Sequence, residues 1–364
     1  MFELKSSMSS RENYLRTIEM TYPKWIPCTV VINDATWNKY KERLKKIIIR
    51  FPSIFNEEAI KEISVFNDFG VRRHGKMYRD EWGCIWYHVQ DGIAGQVKFH
   101  PLNDWRKIKS YKPPDPFNLK GPPQSGEPPR ETWDEARKRV KKQKAEGTLA
   151  YGYLPHGLLF QRIYYLRGFK EFLIDTLLNK QLLSQIIEIV VEYNMKIVEW
   201  WIENDVDVIG FGDDLGTQDR LTINPKVFRE IFIPAYTRLF RMCREAGVHV
   251  HFHSDGHVME VAQDMIKAGV SVLNIQDIIN GLDRIRRELK GKVCIDLDID
   301  RQRLLPFGAP NEIDEYIKSV IMLLGSRKGG LMLTAGIYAD VPIKNIEALL
   351  QSLEKYREYR NLPE

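Results

Sequence analysis

GDDLGTQD (Gly212–Asp219), INPKVFREIFIPAY (Ile223–Tyr236), HVHFHSDG (His249–Gly256) and SVLNIQD (Ser271–Asp277) follow one another in a single stretch of the chain. The polar clusters come directly after short apolar runs, VDVIGF before the first and VSVLNI within the last, and helix-like segments separate them. Acids, a histidine and amides at the carboxyl ends of successive strands are what the active-site rim of a parallel α/β barrel requires. The fold class this predicts is a (β/α)8 TIM barrel, and the protein reads as an enzyme.

Length and composition agree. At 364 residues, with 43% hydrophobic and 28% charged residues, the chain fits a single barrel domain spanning 1–364, with 78–146 as an insertion. No apolar run approaches the ~20 residues of a membrane span, and MFELKSSMSSRENYL has no apolar signal core, so a cytoplasmic location is expected. Cys28, Cys84, Cys243 and Cys294 form no CxxC pair, which points to reduced thiols. Net charge is +5, and the basic run Arg137–Lys144 reads as a solvated helix face; neither nucleic acid nor membrane is expected as a partner.

Working outward, Ser9 with Glu12 three residues on forms a capping box that opens a helix through Glu19. Eight strands are predicted: Trp25–Ile32, Glu62–Gly70, Leu149–Leu154, Val206–Phe211, Val248–His253, Ser271–Ile275, Val293–Ile299 and Leu331–Gly336. The clearest helices are Leu182–Glu203 and one with Asn224 as N-cap and Pro225 at its first position. Between Tyr78 and Pro101, alternating aromatic and polar residues around Asp91-Gly92 predict an antiparallel hairpin insertion. PPDP, GPP and EPP between Lys112 and Arg130 make an extended loop.

Alternate strand residues share a face, so His249, His251 and His253 point the same way, with His253 nearest the rim. His249 and His251 read as core or supporting residues. His253 with Asp255, followed by the turn residue Gly256, makes either a pair of metal ligands or an acid/base couple. Asp213 and Asp214 are adjacent, so only one faces the barrel axis. The expected catalytic set is Asp213, Asp214, His253 and Asp255, with Gln218, Gln276, Asp298 and Tyr153 contacting substrate. Asp296, Asp298 and Asp300 alternate along one face, and such a row needs a cation or donors to offset its repulsion; Asp296 reads as a structural anchor. Tyr78, Trp82, Trp86, Tyr151, Tyr153 and Tyr164 are candidates for an aromatic pocket wall, although most barrel aromatics are core.

These segments, together with MSSRENYLRTIEM, DEWG, HPLNDW (His100–Trp105), LLFQRIYYLRGFKEFLID (Leu158–Asp175), IDRQRLLPFGAP (Ile299–Pro310) and DVPIKNIEAL (Asp340–Leu349), resemble the uroporphyrinogen decarboxylase superfamily. That superfamily includes the decarboxylases of haem synthesis and corrinoid-linked methyltransferases. The resemblance implies one α/β barrel with its site at the carboxyl ends of the strands.

Departures from the branches narrow the expectation. Porphyrinogen decarboxylases carry an arginine-containing RQAGRY-type segment after the first strand, where this chain has PCTVVINDATW (Pro27–Trp37) without arginine. The thiol-methylating branch binds zinc through His-x-Cys and a distant cysteine, where this chain has His253 and Asp255 and, in LTAGIYADVP (Leu333–Pro342), no cysteine. A thiolate-rich zinc site is therefore excluded. Room is left for one divalent ion such as zinc on His253 and Asp255 plus an acid from Asp213, Asp214 or Asp298. The resemblance then implies an O-demethylase-like methyltransferase that passes a methyl group from a small-molecule donor to cobalt(I) of a corrinoid on a separate corrinoid-binding protein. The alternatives are a decarboxylase of a porphyrinogen or smaller carboxylated substrate, and a corrinoid- or tetrapyrrole-binding accessory protein without turnover.

Overall fold

The structure, a computed structural model, describes residues 8–55, 60, 68–358 and 362. In chain order its elements begin with α1 (Ser10–Glu19), β1 (Cys28–Ile32), α2 (Asp34–Tyr40), α3 (Glu42–Ile48), β2 (Met77–Arg79), β3 (Ile85–Tyr87), β4 (Gln96–Phe99), α4 (Trp133–Ala145) and β5 (Tyr151–Tyr153). They continue with α5 (Phe160–Arg167), α6 (Phe169–Leu178), α7 (Lys180–Glu203), β6 (Val208–Gly212), α8 (Pro225–Glu245), β7 (His249–Ser254), α9 (Ala262–Ala268), β8 (Val272–Gln276) and α10 (Asp277–Asn280). The last are α11 (Leu282–Leu289), β9 (Cys294–Asp298), α12 (Leu304–Phe307), α13 (Pro310–Leu324), β10 (Leu331–Ile337) and α14 (Ile343–Tyr356). Residues divide into two compact units, one of 67–140 and 151–280, the other of 1–66, 141–150 and 281–364.

In the first unit β5, β6, β7 and β8 run parallel, with Tyr151 opposite Val208, Val208 opposite His249 and His253 opposite Asn274. β6 and β8 are buried along their whole length, as parallel strands are when both faces are covered. α7 buries Leu183, Ile186, Val190, Ile197 and Trp201 on one face, and α8 buries Phe228, Phe232, Tyr236 and Phe240 at helical spacing. Phe160 of α5 joins them, its ring centroid 5.1 Å from that of Phe232. Asn224 caps α8 as its sequence predicts, accepting from the Lys226 N–H at 2.8 Å.

The predicted hairpin is a three-stranded antiparallel sheet, β2-β3-β4. The extra strand forms because the Asp80 carboxylate closes the β2–β3 turn, accepting from the Cys84 N–H at 2.8 Å and the Trp86 indole at 2.9 Å. Arg162 of α5 pairs with the same carboxylate at 2.7 Å, both side chains buried, so the insertion is tied to the helix after β5. Trp82 and Trp86 are 3% exposed, packed on Tyr193 and Tyr165, and are core.

In the second unit β1, β10 and β9 run parallel, Cys28 opposite Leu333 and Leu331 opposite Ile295. α1 starts at the predicted cap, Ser9 accepting from the Glu12 N–H at 3.1 Å. Asn13 on α1 then fixes the approach to β1 through the backbone of Lys24 and Trp25. Seven of the eight predicted parallel strands are present among the described residues; of the eighth, Glu62–Gly70, only 68–70 are described, and these are not strand. The alternation of parallel strands and helices through both units is that of a TIM-barrel-like α/β fold. Among the described residues no helix is long and apolar enough to cross a membrane. All four cysteines are free; Cys84, Cys243 and Cys294 are buried, Cys28 partly so.

Candidate active site

The site forms in the first unit, where the chain leaves β5, β6 and β7. After β5 the sequence Pro155-His156-Gly157 turns the backbone: Gly157 has φ +71° and donates its N–H to the Gly212 carbonyl at 2.7 Å. The His156 carbonyl accepts from the Ser125 hydroxyl of the proline-rich loop. This sets the His156 ring against the end of β6, where a Cβ on Gly212 would fall 2.6 Å from His156 Nδ1. Glycine at 212 is needed there for space rather than for backbone freedom.

Asp213 and Asp214 part at the end of β6. Asp213 is fully buried and accepts from the N–H groups of Leu159 (2.8 Å), Phe160 (2.7 Å) and Gln161 (2.8 Å) and from the Tyr236 hydroxyl (2.7 Å). Burial pushes its pKa up, against the pull of those donors. It sits at the amino end of α5, where exposed N–H groups and the helix dipole favour an anion.

Asp214 turns the other way, with its side chain 29% exposed. Its Oδ2 lies 3.1 Å from His156 Nε2 and accepts from Gln161 Nε2 at 3.1 Å; its Oδ1 accepts from the Asp255 N–H at 3.1 Å. Gln161 clamps from both sides, since its Oε1 also accepts from the Asp214 N–H at 3.0 Å. Burial alone would raise the Asp214 pKa, but the His156 hydrogen bond and the histidine charges overrule it and hold it below the usual carboxylate range. For His156, burial lowers the pKa and the hydrogen bond and charge of Asp214 more than restore it, leaving it raised.

His253, next to last in β7, has its Nε2 3.9 Å from Asp214 Oδ1 and 3.6 Å from Asp255 Oδ1. Its Nδ1 meets Asn274 Oδ1, its neighbour in register on β8, at 2.5 Å. Burial pulls the His253 pKa down. The loops around these residues are held backbone to backbone: a Cβ on Gly256 would lie 2.3 Å from the Gly216 backbone, and the His257 N–H donates to the Thr217 carbonyl at 2.8 Å.

Of the residues singled out from sequence, Asp214, His253 and Asp255 come together here. Asp213 lies beneath them, and Gln276 holds the Gly256 N–H at 2.8 Å. Gln218 is exposed on the loop after β6. Tyr153 donates its hydroxyl to Glu131 at 3.1 Å, and Glu131 is also held by Arg139. His251 lies edge-on to Tyr151, and His249 contacts Arg244 at 3.0 Å. In the other unit Asp298 pairs with Arg301 at 3.1 Å and Asp296 accepts from Thr334 at 2.9 Å. The sequence reading missed His156, Gln161 and Asn274. For His156 the signal was present: a histidine between proline and glycine at the end of a predicted strand. Among the described residues, His156, Asp214 and His253 are the group whose ligand atoms all lie within 4.8 Å of one another.

Residues 93–356 match the family described as "Uroporphyrinogen decarboxylase (URO-D)". No curated protein sequence matches. Among solved structures, the chain is similar to a methyltransferase from Methanosarcina mazei, at 14% identity and a TM-score of 0.67, over 96% of this chain and 99% of that one. A B12-independent methionine synthase from Shewanella sp. W3-18-1 is similar at 11% identity and a TM-score of 0.41, over 63% of this chain and 66% of that one.

Proposed function

Because the chain belongs to the uroporphyrinogen decarboxylase family, we propose, within that family, a methyltransferase that takes a methyl group from a methylated small molecule. By our reading the donor is an aryl methyl ether and the acceptor is cobalt(I) of a corrinoid carried by a separate protein. Cobalt(I) supplies the nucleophile. The C–O bond of the donor breaks with its electron pair going to oxygen, and this chain must then receive the charge that develops there. The observation that carries the reading is the gathering of His156, Asp214 and His253 at one accessible point. That point offers positive charge to a leaving oxygen, either as the His156 imidazolium or as an ion held by the same side chains. The likeness in fold, over nearly the whole chain, to a methyltransferase from Methanosarcina mazei supports it.

The family's name favours a decarboxylase instead, yet Pro27–Trp37 has no arginine to counter the carboxylates of a porphyrinogen. The test is incubation with cobalt(I) cobalamin, free or on a carrier protein, and a panel of methoxylated aromatics, following the cobalamin spectrum. Methyl transfer to cobalt is expected. Carbon dioxide release from uroporphyrinogen without methyl transfer from any donor would reverse the assignment.

A further inference from the structure

We infer that Arg162 and Ser125 are positioning residues: a series of hydrogen bonds that starts at Asp80 in the antiparallel insertion holds the turn carrying His156, and so sets that imidazole against Asp214. Asp80 Oδ2 accepts from Arg162 Nη1 at 2.7 Å, Arg162 Nη2 donates to the Ser125 hydroxyl at 3.4 Å, and that hydroxyl donates to the His156 carbonyl. The N–H of the same peptide, that of Gly157, donates to the Gly212 carbonyl at 2.7 Å. The peptide after His156 is therefore held at both ends. The ring depends on this, because 47% of the His156 side chain is exposed and its contacts are Asp214 at 3.1 Å and the His253 ring, 5.6 Å away between centroids. Its backbone decides where it stands.

The support is buried. Arg162 is 1% exposed and Asp80 4%, and the guanidinium lies 5.4 Å from the ring centroids of both Trp82 and Tyr165. A buried ion pair adds little net stability over apolar packing, since desolvation of the two charges offsets their attraction. What this pair supplies is direction, because the planar fork of arginine gives one Nη to Asp80 and the other to Ser125. The loop beside Ser125 is fixed a second time: a Cβ on Gly126 would fall 2.7 Å from the Trp86 ring, whose indole N–H donates to Asp80 at 2.9 Å. Asp80 thus anchors both supports of the loop. Gln161, the residue before Arg162 in α5, holds the other partner, donating to Asp214 Oδ2 at 3.1 Å and accepting from the Asp214 N–H at 3.0 Å. Two consecutive residues of one helix fix the pair, Gln161 the carboxylate and Arg162, through Ser125, the imidazole. A misplacement of ~1 Å in a reacting group can cost on the order of 100-fold in rate, so such support bears directly on turnover.

The placement of His156 is tested apart from any reaction, and only its catalytic consequence rests on the methyl-transfer reading. In the full chain labelled with carbon-13 histidine, the His156 imidazole NMR signal is the one lost in His156→Gln. At fixed pH, Ser125→Ala, which removes one hydroxyl from a loop, should shift and broaden that signal while the signals of His74 and His249 stay in place. Ser125→Thr, which keeps the hydroxyl, should restore the parent spectrum. Arg162→Lys, which keeps the charge beside Asp80 and loses the second arm of the fork, should move the same signal. With a methoxylated aromatic as donor, Ser125→Ala should lower kcat by ~10–100-fold and leave KM nearly unchanged, and Ser125→Thr should recover most of the rate. Melting curves confirm that each variant is folded. A His156 signal that stays in place in Ser125→Ala, or that moves only together with every other histidine signal, overturns the inference, as does an active enzyme whose kcat is unchanged by Ser125→Ala. A signal that moves as expected in a chain that transfers no methyl group would sink the reaction and leave the positioning intact.

Discussion

Acidic residues crowd the ends of β6 and β7 in one unit and of β9 in the other, and they do different things. Along β9 and in the turn after it, each acid is taken up by its own unit: Asp296 by Thr334, Asp298 by Arg301, and Asp300 by the N–H groups of Gln302, Arg303 and Leu304 that lead into α12. At the end of β6 Asp213 is used in that way, whereas its neighbour Asp214 meets two histidines at an accessible point. An acid at a strand end is thus assigned by the donors its loop supplies. A carboxylate saturated by backbone N–H groups anchors, whereas one facing histidines is available for chemistry.

The comparison breaks most visibly at Asp213 and Asp214. Asp213→Ala should destabilise the protein by ~3–5 kcal/mol, since it strands three helix N–H groups and a tyrosine hydroxyl in the interior. Asp214→Asn, which keeps one acceptor oxygen, should cost less than that while abolishing methyl transfer. Urea melts with activity assays on both variants decide, and equal stability losses would erase the distinction. In the other unit, Asp300→Ala removes the acceptor for the N–H groups of Gln302, Arg303 and Leu304 and should cost ~1–2 kcal/mol with methyl transfer unchanged. A loss of methyl transfer there would mean that the acids of β9 and of the turn after it do more than anchor.

A smaller effect comes from Glu81, whose side chain accepts a 3.4 Å hydrogen bond from the Tyr193 hydroxyl. Burial, aided by the Asp80 charge and opposed by Arg162, raises its pKa from 4.5 to about 7. A carboxyl whose folded-state pKa is raised holds its proton more tightly when folded, so stability is greatest below pH ~4.5 and declines as pH rises to ~7. Glu81→Gln should flatten that decline, raising the melting temperature at pH 8 relative to pH 5 by ~2–4 °C compared with the parent protein. An unchanged pH profile would show that Glu81 ionises freely.

The sequence by itself determined the parallel α/β architecture, because apolar runs buried on both faces and helices with their own caps carry local signatures. Seven strands fell within a few residues of their predicted positions, and Ser9 and Asn224 cap the helices they announce. It also brought out Asp214, His253 and Asp255, since rim residues follow their strands directly. It did not separate Asp213 from Asp214, whose identical side chains differ only in which donors surround them. Nor did it reach His156, Gln161 and Asn274, which lie 58, 53 and 60 residues from Asp214 in the chain. Only the parallel pairing of β5 to β8 brings the turn after β5, the first turn of α5 and the end of β8 around one carboxylate. The contacts that select a functional acid are made across strands, and no spacing within one segment encodes them.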